Sequence, residues 1–188
     1  MRQYDQSKRR RNGEKPPLTA RMLEELALSY AARYASSQAK LLRYLTRKLR
    51  ERGWEGDAEP DLADLVSKLA GYGYVDDESY ARMKSTDLLR RGYGARRVSE
   101  ALGQAGIAAD LRDAMAPDKA RARHAALAMA RKRRFGPFAV QPQDMALRQK
   151  QLAAMLRAGH AMDESRTLLN LPSENAALEW ASEWDDDA

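Results

Sequence analysis

From Leu18 onward, apolar residues return at intervals of three and four along almost the whole chain, the spacing of one buried face of an α-helix. Leu41, Leu42, Leu45 and Leu49 form the clearest such stripe, on a segment predicted to run from about Gln38 to Arg52. Before it, Ala20 to Tyr34 reads as a first helix. Ser36 and Ser37 offer the side-chain oxygens that cap the free N–H groups at the next helix start. Gly53 supplies the left-handed conformation that follows a helix end. After a loop containing Asp, Glu and Pro, Asp61 caps a third helix bearing Leu62, Leu65, Val66 and Leu69. No stretch alternates polar and apolar residues with period two, so no sheet is expected and the predicted fold class is all-α.

The plan then recurs. Asp76 is placed to cap a helix whose first turn carries Asp77 and Glu78, where the helix dipole favours negative charge. This helix runs to Arg91 and stops at Gly92-Tyr93-Gly94; a shorter one with Val98 and Leu102 inward ends at Gly106, and Ala108 to Met115 follows. Pro117 suits the first turn of the next helix, which closes near Phe135-Gly136-Pro137. Pro142 opens another that Gly159 closes, and Asp163-Glu164 begins the last, ending near Asn170. Gly53, Gly106 and Gly159 lie 53 residues apart. Leu49, Leu102 and Met155 fall in register before them, as do Thr46, Ser99 and Leu152. A fixed period marks a repeat architecture. The chain reads as three tandem three-helix repeats at 18–72, 73–116 and 117–172, forming an elongated, curved array of either hand. A disordered basic arm at 1–17 and an acidic tail at 173–188 flank them. The periodic glycines are helix caps rather than a phosphate loop, because no strand precedes them and no Gly-x-Gly-x-x-Gly follows.

Composition narrows the functional classes. The absence of cysteine excludes disulfides and thiolate metal sites and fits a cytoplasmic protein. No apolar run approaches the ~20 residues of a membrane span, and the basic N-terminus lacks the apolar segment of a secretory signal. Charge is divided unevenly. The formal net charge is +6, yet Glu174, Glu179, Glu183, Asp185, Asp186 and Asp187 follow Ser173 with no Lys or Arg among them. The remainder is therefore more basic than the total suggests and attracts polyanions, nucleic acid above all, or an acidic protein surface.

Catalytic constellations are hard to find. His124 and His160, the only histidines, lie in helical segments without a second ligand at metal spacing, and are expected to face solvent or pack partly. Asp76 and Asp77 could hold a metal or act as a base, but their place before a helical run favours capping. No nucleophile elbow is present, so no enzyme activity and no cofactor or metal is expected.

Basic clusters are the stronger candidates. Arg43, Arg47 and Arg50 form one stripe opposite the leucines of the second helix, flanked by Lys40 and Lys48. Arg90, Arg91, Arg96 and Arg97 bracket the Gly92-Tyr93-Gly94 turn, and Arg131, Lys132, Arg133 and Arg134 lead into Phe135. A single such cluster is usually a solvated helix face; three at comparable positions suggest a surface for phosphates or carboxylates. Tyr72, Tyr74, Tyr80 and Tyr93 could stack on bases, though packing of their rings is the better expectation. Trp180 and Trp184 give the acidic tail an amphipathic segment that can dock on the body or on a partner, or fray.

The middle of the chain resembles a known family. Gly73-Tyr74-Val75-Asp76-Asp77-Glu78-Ser79-Tyr80-Ala81, then Arg91-Gly92-Tyr93-Gly94-Ala95-Arg96-Arg97-Val98 and Leu102-Gly103-Gln104-Ala105-Gly106-Ile107, is similar to the RecX family of bacterial RecA regulators. Val75 stands where that pattern has Leu, Tyr80 where it has Phe, Ala95 where it has Pro and Ala105 where it has Lys. The run from Ala128 to Gly136 and the segment from Gln149 to His160 resemble later parts of the pattern, with His160 where an aromatic is usual. The likeness spans about Leu26 to Leu171 and is strongest in the second repeat.

The resemblance implies a small cytoplasmic helical protein, not an enzyme and without a cofactor. It implies binding to RecA recombinase and its filament on single-stranded DNA, restraining filament growth, strand exchange, ATP hydrolysis, recombination and the SOS response. On this reading a monomer uses Arg43, Arg47, Arg50, Arg90, Arg91, Arg96, Arg97, Lys132, Arg133 and Arg134 against RecA or DNA, its direct hold on single-stranded DNA being weak or indirect. Gly53, Gly73, Tyr74, Asp76, Asp77, Gly92, Tyr93, Gly94, Gly106 and Gly159 shape the scaffold. The alternatives are a nucleic-acid-binding module without a RecA partner, and a metal-dependent nuclease using Asp76, Asp77 and Glu78. The acidic tail is expected to fold over the basic body and compete with its partner, so that truncation after Ser173 raises affinity.

Overall fold

A computed structural model of the chain describes residues 15–141 and 144–185. Ten α-helices and one 3-10 turn make up its regular structure, and no strand occurs among the described residues. Most of the basic arm, Pro142 and the last three residues lie outside them. The chain divides into two compact units, one ending at Asp76 and the other beginning at Asp77.

The N-terminal unit holds α1 (Ala20–Arg33), α2 (Gln38–Arg52) and α3 (Leu62–Gly71). Each helix begins where a polar side chain can satisfy an unpaired N–H. Thr19 accepts from Met22 N–H, Ser37 from Lys40 N–H and Asp61 from Asp64 N–H. The leucine stripe of α2 turns inward: Leu41 and Leu45 are fully buried with Leu18, Leu23, Ala27, Val66, Leu69 and Val75. Gly53 turns the chain out of α2 at φ 78° and ψ 178°, an extended positive-φ conformation rather than the expected left-handed helical one. Its carbonyl accepts from Leu18 N–H at 2.9 Å and Glu55 N–H donates to Leu18 O at 3.0 Å, so Leu18 closes the bottom of this core.

The C-terminal unit holds α4 (Asp77–Arg90), α5 (Ala95–Gln104), α6 (Ala109–Ala114), α7 (Lys119–Arg133), α8 (Met145–Arg157), α9 (Met162–Asn170) and α10 (Glu174–Ser182). Helix α7 is its centre. Ala125 joins the core of Tyr80, Leu88, Leu89, Val98, Leu102 and Ile107. Ala126, Leu127, Met129 and Ala130 join a second core with Met155, Leu168, Leu169, Ala177 and Ala181. Alanine on several faces lets neighbouring helices approach α7 closely from more than one side. Leu102 and Met155, in register in the sequence, are both fully buried, whereas Leu49 is half-buried.

Two local expectations need correction, and one between them holds. Pro117 precedes α7 rather than entering it: Asp118 is the cap, accepting from Arg121 N–H at 2.7 Å. Helix α7 does end near Phe135, as expected: its last residue is Arg133, and Arg134 takes the left-handed conformation at φ 56°. The acidic tail contains a regular helix, α10, whose Ala177 and Ala181 are fully buried.

Candidate interaction surface

The turn between α4 and α5 is built by close backbone approach. A Cβ on Gly92 would lie 2.8 Å from the Met129 backbone nitrogen. A Cβ on Gly94 would lie 2.3 Å from both the carbonyl carbon and oxygen of Gly159. Gly94 N–H donates to Ala158 O at 2.9 Å and Arg96 N–H to Gly159 O at 3.2 Å, tying the turn to the end of α8. His160, expected to face solvent or pack partly, is buried there instead, its Nε2 3.0 Å from Gly92 O. Gly92 and Gly94 are thus not only turn residues: any side chain would separate α4–α5 from α7 and α8.

This fixed corner presents four exposed arginines. Arg90 and Arg91 share Asp87 at 3.3 and 3.5 Å; Arg96 and Arg97 share Glu100 at 3.7 and 3.3 Å. Partial desolvation pushes the Asp87 carboxyl up, but hydrogen bonds from Arg90 and Arg91 outweigh it and hold it below its ordinary value. Four guanidinium groups against two carboxylates leave an excess of positive charge. Exposed pairs of this kind contribute little stability, so an incoming phosphate or carboxylate can replace either acid. Arg96 also reaches across to α8, where its Nη2 donates to Leu156 O at 2.7 Å and satisfies a free carbonyl near the helix end. The Arg91 guanidinium lies 5.5 Å from the centre of the half-buried Tyr93 ring.

The α7 cluster begins two residues beyond Met129, on which Gly92 is seated. Lys132, Arg133 and Arg134 are exposed, and among the described residues no carboxylate lies within ion-pair distance of any of them. Arg131 differs, pairing with Glu174 of α10 at 2.5 Å. In the N-terminal unit, Arg43, Arg47 and Arg50 are all exposed on α2, with Arg47 3.8 Å from Glu51. Glu51 is held below its ordinary value chiefly by its hydrogen bond from Lys48.

The remaining motif residues are structural or solvent-facing. Gly73, Gly106 and Gly159 have positive φ just after α3, α5 and α8. Asp76 and Asp77 stand at the start of α4. Among the described residues, no three His, Cys, Asp or Glu side chains gather as a metal site. The packing expectation holds for Tyr80 and Tyr93 but not for Tyr72 and Tyr74, which are 76% and 57% exposed.

Comparison with known proteins adds two findings. A family model described as "RecX, second three-helix domain" matches residues 76–115, which span α4 to α6. The chain is 32% identical over 174 residues to "Regulatory protein RecX" of Myxococcus xanthus (strain DK1622), covering 87% of this chain and 93% of that relative. The chain belongs to the RecX family. Within this RecX-family chain the matched domain carries the arginine corner and its glycine turn. No described helix is long and apolar enough to cross a membrane.

A feature not anticipated residue by residue is the seat of the tail. Arg123 of α7 is buried, donating to Trp180 O at 2.8 Å and pairing with Glu183, with its guanidinium 4.6 Å from the Trp180 ring centre. The hydrogen bond from Arg123 is the main reason Glu183 is held below its ordinary value. Lys119 lies 3.8 Å from the Trp184 ring centre, and His124 Nε2 lies 2.7 Å from Asp185. The signal for it was the pair Trp180 and Trp184, four apart on one helical face in a segment without basic residues.

Proposed function

We propose that this RecX-family protein acts in the cytoplasm as a monomeric, non-enzymatic regulator that binds RecA and its filament on single-stranded DNA and restrains filament growth, ATP hydrolysis and strand exchange. Restraint of recombination and of the SOS response follows. The observation that carries this reading is the likeness to a regulatory RecX protein along nearly its whole length. The arginine corner within the matched domain supplies a physical means. Arg90, Arg91 and Arg97 project from a corner held in place by the Gly92–Met129 and Gly94–Gly159 contacts, so little order need be gained on binding. Arginine forks suit the acidic side chains and phosphates of a nucleoprotein filament alike.

The test adds the protein to RecA filaments on single-stranded DNA and follows ATP hydrolysis and filament length. Both are expected to fall, and charge reversal at Arg90 and Arg97 is expected to weaken the effect. If neither quantity changes at equimolar protein, the proposal fails.

A further inference from the structure

The aromatic residues of the N-terminal unit converge in a groove outside the arginine corner. Tyr44 of α2 stacks on Tyr30 of α1, ring centres 4.3 Å apart and planes 21° from parallel. Tyr30 in turn meets Tyr34 at 5.2 Å. The ladder ends at Tyr34, whose ring lies just past the end of α1 and is 58% exposed. These three rings, Arg33, Arg47 and Leu26 line a groove of about 510 Å³ with no carboxylate in its wall. Arg33 is exposed, and no described acid lies within ion-pair distance of it. A second hollow of about 310 Å³ shares Tyr30, Tyr44 and Arg47 and continues the basic rim past Lys40 and Arg43.

We infer that this groove binds single-stranded nucleic acid directly, with a base on the open face of Tyr34 and neighbouring phosphates on Arg33 and Arg47. A strand alternates flat apolar faces with anionic groups, and the wall alternates an exposed ring with guanidinium groups in the same way. Aromatic platforms beside a positive rim accept any base, because every base has a π-face. A partner helix would need a broad aliphatic trough, and Leu26 is the single aliphatic residue in the wall. An acidic peptide would engage the arginines but leave the exposed ring uncovered. The inference concerns bare nucleic acid and does not depend on the proposed action on RecA.

The experiment measures fluorescence anisotropy of labelled oligothymidylate with the full chain, without recombinase, alongside an oligonucleotide of the same length with abasic sites. Tyr34→Ala is expected to weaken binding about fivefold or more, the lower range for loss of one stacked base, while Tyr34→Trp retains it. Arg33→Glu weakens both oligonucleotides, and the abasic one binds less well to the native chain. Tyr34 is exposed enough that its truncation leaves the core intact. Undetectable binding, equal affinity for the abasic strand, an unchanged Tyr34→Ala variant, or displacement by polyglutamate as effective as by oligothymidylate would each overturn the inference. Any of these results leaves the proposed regulation of RecA to its own filament assay.

Discussion

His160 Nε2 and the carbonyl oxygen of Gly92 lie 3.0 Å apart in the interior of the C-terminal unit. A carbonyl can only accept, so Nε2 carries the proton of the neutral ring. The contact joins the α4–α5 turn to the residue that follows Gly159.

Burial is the larger influence on this histidine and lowers its pKa below the ordinary 6.5, with the Gly92 hydrogen bond acting in the opposite sense. The folded state thus favours the neutral ring, and the unfolded chain takes up the proton first as pH falls. The stabilisation is complete above about pH 6.5 and declines as pH drops from there toward the lowered folded value. Urea unfolding across this range is expected to show the loss, and His160→Phe, which keeps an aromatic at the position, is expected to flatten it. An unchanged pH profile in that variant would place the sensitivity elsewhere.

Gly94→Ala is expected to destabilise the C-terminal unit by about 1–3 kcal/mol or more, because the new methyl group meets the Gly159 backbone and neither helix end can yield alone. Gly53→Ala meets open space, so its cost is the backbone strain of φ 78° and ψ 178° alone, about 1–3 kcal/mol, with no clash added. Denaturant titration of the two variants side by side gives the comparison. Equal losses would mean that the Gly94–Gly159 approach has slack.

Arg123→Ala removes the hydrogen bond to Trp180 O, the pair with Glu183 and the cation facing the Trp180 ring. A cost of about 1–3 kcal/mol is expected, typical of hydrogen bonds to charged groups. Tryptophan emission should shift to longer wavelength as Trp180 and Trp184 gain water. Unshifted emission would show α10 to be held by Ala177 and Ala181 alone.

Truncation after Ser173 is a mixed test of the tail's competition with a partner, since it also strips Ala177 and Ala181 from the core. Glu174→Gln isolates the charge. It frees Arg131 from its 2.5 Å partner beside Lys132, Arg133 and Arg134. Affinity for the RecA filament is expected to rise by roughly a few-fold at most, the range of an exposed ion pair, and the gain should shrink as salt is added. Unchanged affinity would remove Arg131 from the interaction surface.

The legible parts of the fold are those written in near neighbours. Ser37 and Asp61 cap the helices they precede, and Leu41, Leu45 and Leu102 are buried as their spacing implies. The exposed state of all ten proposed basic residues also agrees with their helical positions. Long-range approach leaves weaker traces. Gly94 resembles any turn glycine until Gly159 is placed against it, because the contact is between backbones and selects only for a missing side chain. Arg123 sits in an arginine-rich helix and is singled out by tryptophans far along the chain. Arg96 reads as one more free cation, although the Leu156 carbonyl already holds part of its fork. Tyr30, Tyr34 and Tyr44 are scattered across two helices and become a ladder only when α1 and α2 pack.

The central place of α7 bears on how the chain is made. Its partners arrive at different times: α4 precedes it, whereas α9 and α10 follow. During synthesis the alanine-lined side that receives Ala177 and Ala181 stays uncovered until α10 has left the ribosome. A message broken before Glu174 would therefore yield a product with an open seam along its middle helix, the kind of defect that cellular proteases recognise.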